Sequence, residues 1–132
     1  MENFVVEETV FEPRIELNFS EGKFLFKGES RPENVHNFYG PIFKKLDEYE
    51  LYLKSSNKST NIECVFNFDY FNSSSSKSIL DIIEKMANIK NNAPNANLRI
   101  VWFYDELDED MREAGLEFEE ITELKFEFCG VK

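Results

Sequence analysis

The hydrophobic period changes between residues 62 and 89, and that change limits the folds open to this chain more than any other feature. Ile62, Cys64, Phe66 and Phe68 alternate with other residues, the period of a strand with one face inward. Ile79, Ile82, Ile83, Met86 and Ile89 then recur at three- and four-residue intervals, the period of an amphipathic helix. Between them lies Phe68-Asp69-Tyr70-Phe71-Asn72-Ser73-Ser74-Ser75-Ser76-Lys77. The chain is therefore expected to leave a strand at Phe71 and enter a helix, Ser74 to about Lys90, through a run of four serines. Such a corner exposes unpaired backbone N–H groups at the positive end of a helix. The serines serve either as N-cap and first-turn residues or as a place for a phosphate, bound or covalently attached.

The rest of the chain repeats the alternation. Phe4 to Phe11 reads as a short edge strand interrupted by Pro13. Ile15, Leu17 and Phe19, then Phe24 and Phe26, flank Ser20-Glu21-Gly22-Lys23 as a β-hairpin, with Gly22 free to take positive φ and Gly28 closing the second strand. Ser30 and Glu33 form a capping-box pair with Pro32 between them. The helix that follows carries Val35, Phe38, Tyr39, Ile42, Phe43, Leu46, Tyr49 and Leu53, and Gly40-Pro41 within it predicts a kink or a restart. After the serine corner and its helix, Asn91-Asn92-Ala93-Pro94-Asn95 reads as a loop. Leu98 to Tyr104 reads as an inner strand. A third helix opens on Asp108-Glu109-Asp110 with Met111, Ala114, Phe118 and Ile121 inward, and Leu124 to Phe128 is the last strand. Strands alternating with helices imply parallel pairings and right-handed crossovers. The expectation is a single α/β domain over 1–132, with a mixed β-sheet, an N-terminal hairpin and about three covering helices.

Charge narrows the function. The 132 residues hold 15 Lys and Arg against 26 Asp and Glu, a formal charge of −11. Nucleic-acid backbones and anionic membrane surfaces repel such a chain, so proteins or cations are the expected partners. No basic and apolar leader opens it, and no run approaches the roughly 20 apolar residues of a membrane span. The expected compartment is the cytoplasm. Cys64 and Cys129 stand too far apart for a zinc framework.

Catalytic signals are thin. His36 is the one histidine, read as an ordinary helix residue away from the corners, and no nucleophile–base arrangement assembles around it. The serine run lacks the glycines of a phosphate-cradling loop. Asp105, Glu106, Asp108, Glu109 and Asp110 suit a hard divalent cation, with Asp105, Asp108 and Asp110 then serving a hydrolase. They suit better the acidic first turn that a helix dipole favours, and no calcium-loop spacing is present. No catalytic residue, metal or cofactor is called for, and a constitutive scaffold with a serine-rich cap is a further alternative.

Five blocks share a spacing that is similar to one known family: Arg31-Pro32-Glu33-Asn34, Phe38-Tyr39 with Pro41, Tyr70 to Lys77, Trp102-Phe103-Tyr104, and Asp108-Glu109-Asp110-Met111. Together they resemble the SiaC family of bacterial regulatory phosphoproteins over nearly the whole chain. The resemblance implies a fold like STAS domains, the class that includes anti-sigma-factor antagonists. It also implies a non-enzymatic switch acted on by a protein kinase and a PP2C-type phosphatase. The unphosphorylated form would bind a diguanylate cyclase or another signalling protein and so control cyclic-di-GMP and biofilm formation. By the same resemblance the phosphoacceptor is Ser73, where many members carry threonine, with Ser74 as second choice. Tyr70, Asn72, Ser74, Ser75 and Lys77 would form the surface met by kinase or partner.

Overall fold

A computed structural model describes residues 1–93 and 95–132. In chain order the elements are β1 (Phe4–Val6), β2 (Arg14–Asn18), β3 (Lys23–Ser30), α1 (Val35–Lys54), β4 (Thr60–Phe71), α2 (Ser73–Asn92), β5 (Ala96–Asp105), α3 (Glu109–Thr122) and β6 (Phe126–Val131). They build one six-stranded mixed sheet in the order β1-β2-β3-β4-β5-β6. β1 to β3 pair antiparallel, and β3 to β6 pair parallel. The α/β class, the hairpin, the mixed sheet and the three helices follow the expectation. Pro94 of the expected breaker loop lies outside the described residues, and α2 extends through Asn91 and Asn92.

Each parallel step moves one strand further in the same direction. Right-handed crossovers then place α1, α2 and α3 on one face of the sheet. The burial pattern agrees. Ile15, Leu17, Phe24, Phe26, Ile62, Cys64, Phe66, Phe68, Ile100, Trp102 and Phe126 are buried, whereas alternate positions such as Arg14, Glu16, Lys27, Arg99 and Glu127 are not. Among the described residues, no helix covers the other face. It carries the cross-strand row Leu25, Val65 and Val101, beside Arg99 paired with both Glu63 and Glu127. An antiparallel hairpin joined to parallel strands tolerates one solvated face, and here the charged residues of β3 to β6 supply it.

Several local details depart from the sequence reading, while the Gly22 turn follows it. Gly28 does not end β3. It sits at a register shift with φ 112°, and the strand continues to Ser30. Gly22 does take positive φ, 68°, and a Cβ there would lie 2.5 Å from the Asn61 carbonyl oxygen. The Ser30–Glu33 capping box does not form, because Ser30 is still in the ladder opposite Phe71. Asn34 caps α1 instead, its Oδ1 accepting from the Asn37 amide at 3.0 Å. α1 then runs unbroken through Gly40-Pro41 to Lys54, with no restart. In α3, Met111, Gly115 and Phe118 face the core while Ile121 is exposed. β6 begins two residues later than expected, so Leu124 precedes it.

Candidate functional site

The C-terminal ends of the parallel strands and the N-termini of all three helices meet along one edge of the sheet, the usual functional edge of such a sheet. At its middle is Asn72. Its side-chain Oδ1 accepts from the Ser75 amide at 2.9 Å, its carbonyl from the Ser76 amide at 2.9 Å, and its own amide donates to the Ser30 carbonyl at 3.1 Å. These three bonds fix where β4 stops and in which direction α2 leaves. Ser73 and Ser74 are the first two residues of α2, and both are exposed. Their amides have no intrahelical acceptor, so the hydroxyls stand beside the positive end of the helix.

Ser75 does something else. It is fully buried, and its Oγ accepts a 2.9 Å hydrogen bond from Ser30 Oγ, which lies 2.5 Å from the Tyr39 hydroxyl. Burial pushes the Tyr39 phenol up to about 12, against the smaller opposing effect of the two serines. This chain of three hydroxyls ties β3, α1 and the first turn of α2 together inside the core. The side chain of Ser75 is therefore no part of a docking surface, contrary to the expectation from sequence. Ser30 sits at an inward position after Phe24 and Phe26, and Tyr39 within the apolar stripe of α1. A hydroxyl at an inward position signals a buried partner, but not which one.

Beside the corner, Tyr70 is half exposed while Phe71 turns inward against Phe118 and Trp102. Trp102 Nε1 donates to the Met111 carbonyl at 3.0 Å, holding the start of α3 against β5. A cleft of about 380 Å³ opens there, lined by Asp69, Tyr70, Phe71, Asp108, Asp110 and Met111 among others. The serine corner and the start of α3 are thus joined through Tyr70 and Phe71. Asp105 and Asp108 act locally: Asp105 accepts from the Leu107 amide at 2.8 Å, and Asp108 caps α3 by accepting from the Met111 amide at 3.0 Å. Among the described residues, no three His, Cys, Asp or Glu side chains gather as a metal ion requires.

Of the other surface residues named from sequence, Lys77 is exposed and its Nζ donates to Asp81 Oδ1 at 2.7 Å. Asn72 is half-buried, its side chain committed to the cap. His36 lies exposed in the first turn of α1. No helix among the described residues is long and apolar enough to cross a membrane.

A family model described as SiaC family regulatory phosphoprotein matches residues 6–131. The chain belongs to the SiaC family. An uncharacterized protein of Pseudomonas aeruginosa (strain UCBPP-PA14) is 26% identical over 114 residues, covering 86% of this chain and 85% of that protein. Apo-SiaC of Pseudomonas aeruginosa superposes with a TM-score of 0.82 at 21% identity, covering 98% of this chain and all of that one. The Pseudomonas aeruginosa diguanylate cyclase SiaD in complex with its activator SiaC also matches, with a TM-score of 0.82 at 21% identity and coverage of 97% and 99%. At that identity the likeness to SiaC structures is one of fold: a mixed six-stranded sheet with three helices.

Proposed function

We propose that this SiaC-family member is a non-enzymatic cytoplasmic switch whose state is set by phosphorylation of Ser73, and that its unphosphorylated form binds and activates a diguanylate cyclase, so controlling cyclic-di-GMP signalling and biofilm formation. The observation that carries the proposal is the contrast within the serine run. Ser73 and Ser74 are exposed at the mouth of α2, while Ser75 is sealed in the core by Ser30. Ser73 is the first of the two and directly follows the Asn72 cap. The cyclase is proposed because the similarly folded Pseudomonas aeruginosa SiaC is an activator found in complex with one.

The chemistry is a phosphoryl transfer. Ser73 Oγ attacks the γ-phosphorus of ATP in the kinase, the bond to the β–γ bridging oxygen breaks, and ADP leaves. The serine proton passes to the kinase's base. A PP2C-type phosphatase reverses the state by adding water across the new bond, returning serine and inorganic phosphate. The added group brings about −1.5 to −2 charges near neutral pH. At a helix N-terminus the dipole offsets roughly 0.3–1 kcal/mol of its cost, so the fold tolerates it. Desolvated and unpaired at an interface, the same charge costs about 3–5 kcal/mol, roughly a hundred- to several-thousand-fold in affinity. Phosphorylation therefore removes the partner and leaves the fold intact. Tyr70, Ser74 and Lys77 flank Ser73 on the surface that the partner covers.

The test pairs two measurements. Mass spectrometry after incubation with the cognate kinase and ATP is expected to place the phosphate on Ser73 and to find none in Ser73→Ala. A binding assay against the cyclase is expected to retain Ser73→Ala and lose Ser73→Asp. A phosphate that persists in Ser73→Ala, or a Ser73→Asp protein that binds as well as the wild type, overturns the assignment.

A further inference from the structure

Ser73, Lys77 and Asp81 are spaced four residues apart along α2, so each is the helical neighbour of the next. In the unmodified protein Lys77 belongs to Asp81, its Nζ 2.7 Å from Oδ1, with side chains 72% and 38% exposed. The ammonium is held in its charged form chiefly by that hydrogen bond and by the Asp81 charge, and Glu84 attracts it further. We propose that Lys77 is the reader of the Ser73 modification: a phosphate on Ser73 draws Lys77 back along the helix, breaks its ion pair with Asp81, and leaves that carboxylate without its lysine. This rests on Ser73 as the phosphoacceptor and adds how the change is transmitted.

Three physical differences favour the exchange. An acid placed N-terminal to a lysine at four-residue spacing is the better orientation, and phosphoserine 73 would have it, whereas Asp81 lies on the C-terminal side. The phosphate carries about −1.5 to −2 charges against one on the carboxylate. The long exposed lysine stem swings between the two without disturbing packing. Arg31, the cation that leads into α1 at this edge, is bound to Glu29 and lies over the Phe11 ring. The consequence is spatial. Eight residues of helix are about 12 Å, so the modification alters the charge pattern of α2 two turns from the atom that carries it. A partner lying along this face would then meet an unpaired Asp81 as well as the phosphate.

The test uses the full chain with phosphoserine placed at position 73 by genetic code expansion, so its outcome does not depend on which hydroxyl a kinase selects. Phosphorus NMR follows the second ionisation of that phosphate, ordinarily near pH ~6. The midpoint is expected about 0.15–0.4 unit lower in the wild-type background than in Lys77→Met. It should fall further in Asp81→Asn, where the competitor is gone. The Asp81 carboxyl carbon resonance at neutral pH is expected to shift on phosphorylation in the wild type and to stay in place in Lys77→Met. Equal midpoints in wild type and Lys77→Met, or an Asp81 signal that ignores the phosphate, overturn the reader role even if Ser73 is the acceptor. A kinase that modifies another residue overturns the acceptor assignment and leaves this measurement readable.

Discussion

The three-hydroxyl chain behind the serine corner makes the sharpest energetic prediction. Ser30 Oγ donates to Ser75 Oγ at 2.9 Å and lies 2.5 Å from the Tyr39 hydroxyl, with all three side chains at 0–1% exposure. Tyr39→Phe removes one hydrogen bond and leaves Ser30 still paired with Ser75, a cost of about 0.5–1.5 kcal/mol. Ser75→Ala leaves Ser30 paired with Tyr39, where either oxygen can donate, at a similar cost. The double variant is different. It strands the Ser30 hydroxyl in the core with neither partner, and a buried orphan costs about 1–3 kcal/mol. The loss in the double variant should therefore exceed the sum of the singles by about 0.5–1.5 kcal/mol. Urea unfolding at neutral pH measures all four proteins, with midpoints falling and the m-value unchanged. Exchange of the backbone amides at positions 75 and 76 should quicken in Ser75→Ala, because the first turn of α2 loses its inward tether. Strict additivity, or a double variant as stable as either single, would show that the hydroxyls do not act as one unit and would refute the reasoning.

The other predictions concern the frame that holds the corner. Tyr39 is lifted to about 12 by burial, so the native state keeps a proton that the unfolded chain releases near pH ~10. Stability is then full below about pH 10 and falls by about 2–3 kcal/mol as pH rises through the native value, a loss Tyr39→Phe should remove from the alkaline unfolding profile. Lys85 of α2 reaches Asp47 at 2.6 Å and Glu50 at 2.8 Å on α1. Lys85→Met should cost about 1–2 kcal/mol in urea unfolding. Hydrogen bonds from Lys85 and Asn92 hold the Glu50 carboxyl below the usual range. Its contribution is present above the unfolded carboxylate pKa and lost as pH falls through the lower native one, so Lys85→Met should also flatten the acid limb. A Cβ at Gly115 would meet the Trp102 ring at 2.6 Å and Phe128 at 2.8 Å. Gly115→Ala should lower thermal stability by about 1–2 kcal/mol, the overpacking outweighing the gain in helix propensity.

The elements were legible in the residues because their signals are local. The switch of period at Phe68 to Ile79, the Gly22 turn and the acidic start of α3 each act within one or two turns of chain, and each element appears where those signals stand. The misreadings share one cause. Ser30 has the composition of a helix cap and Gly28 that of a strand end, yet pairing with β4 carries β3 through both. The ladder supplies hydrogen bonds that a cap would otherwise have to provide. Ser75 looked like one of four equivalent serines, and only the direction in which α2 leaves Asn72 turns its hydroxyl inward and those of Ser73 and Ser74 outward.

By itself the sequence determined the alternation of strands and helices, the acidic character, and a serine corner with the spacing of a known family, since all of these depend on neighbours within a few residues. Tertiary structure alone decided that three helices share one face of the sheet, which serine is sealed, and that Ser30, Tyr39 and Ser75 meet. Those outcomes require residues up to 45 apart to find one another. The handedness of the crossovers and the burial of a common face bring them together, and no local pattern along the chain encodes which distant side chains will then touch.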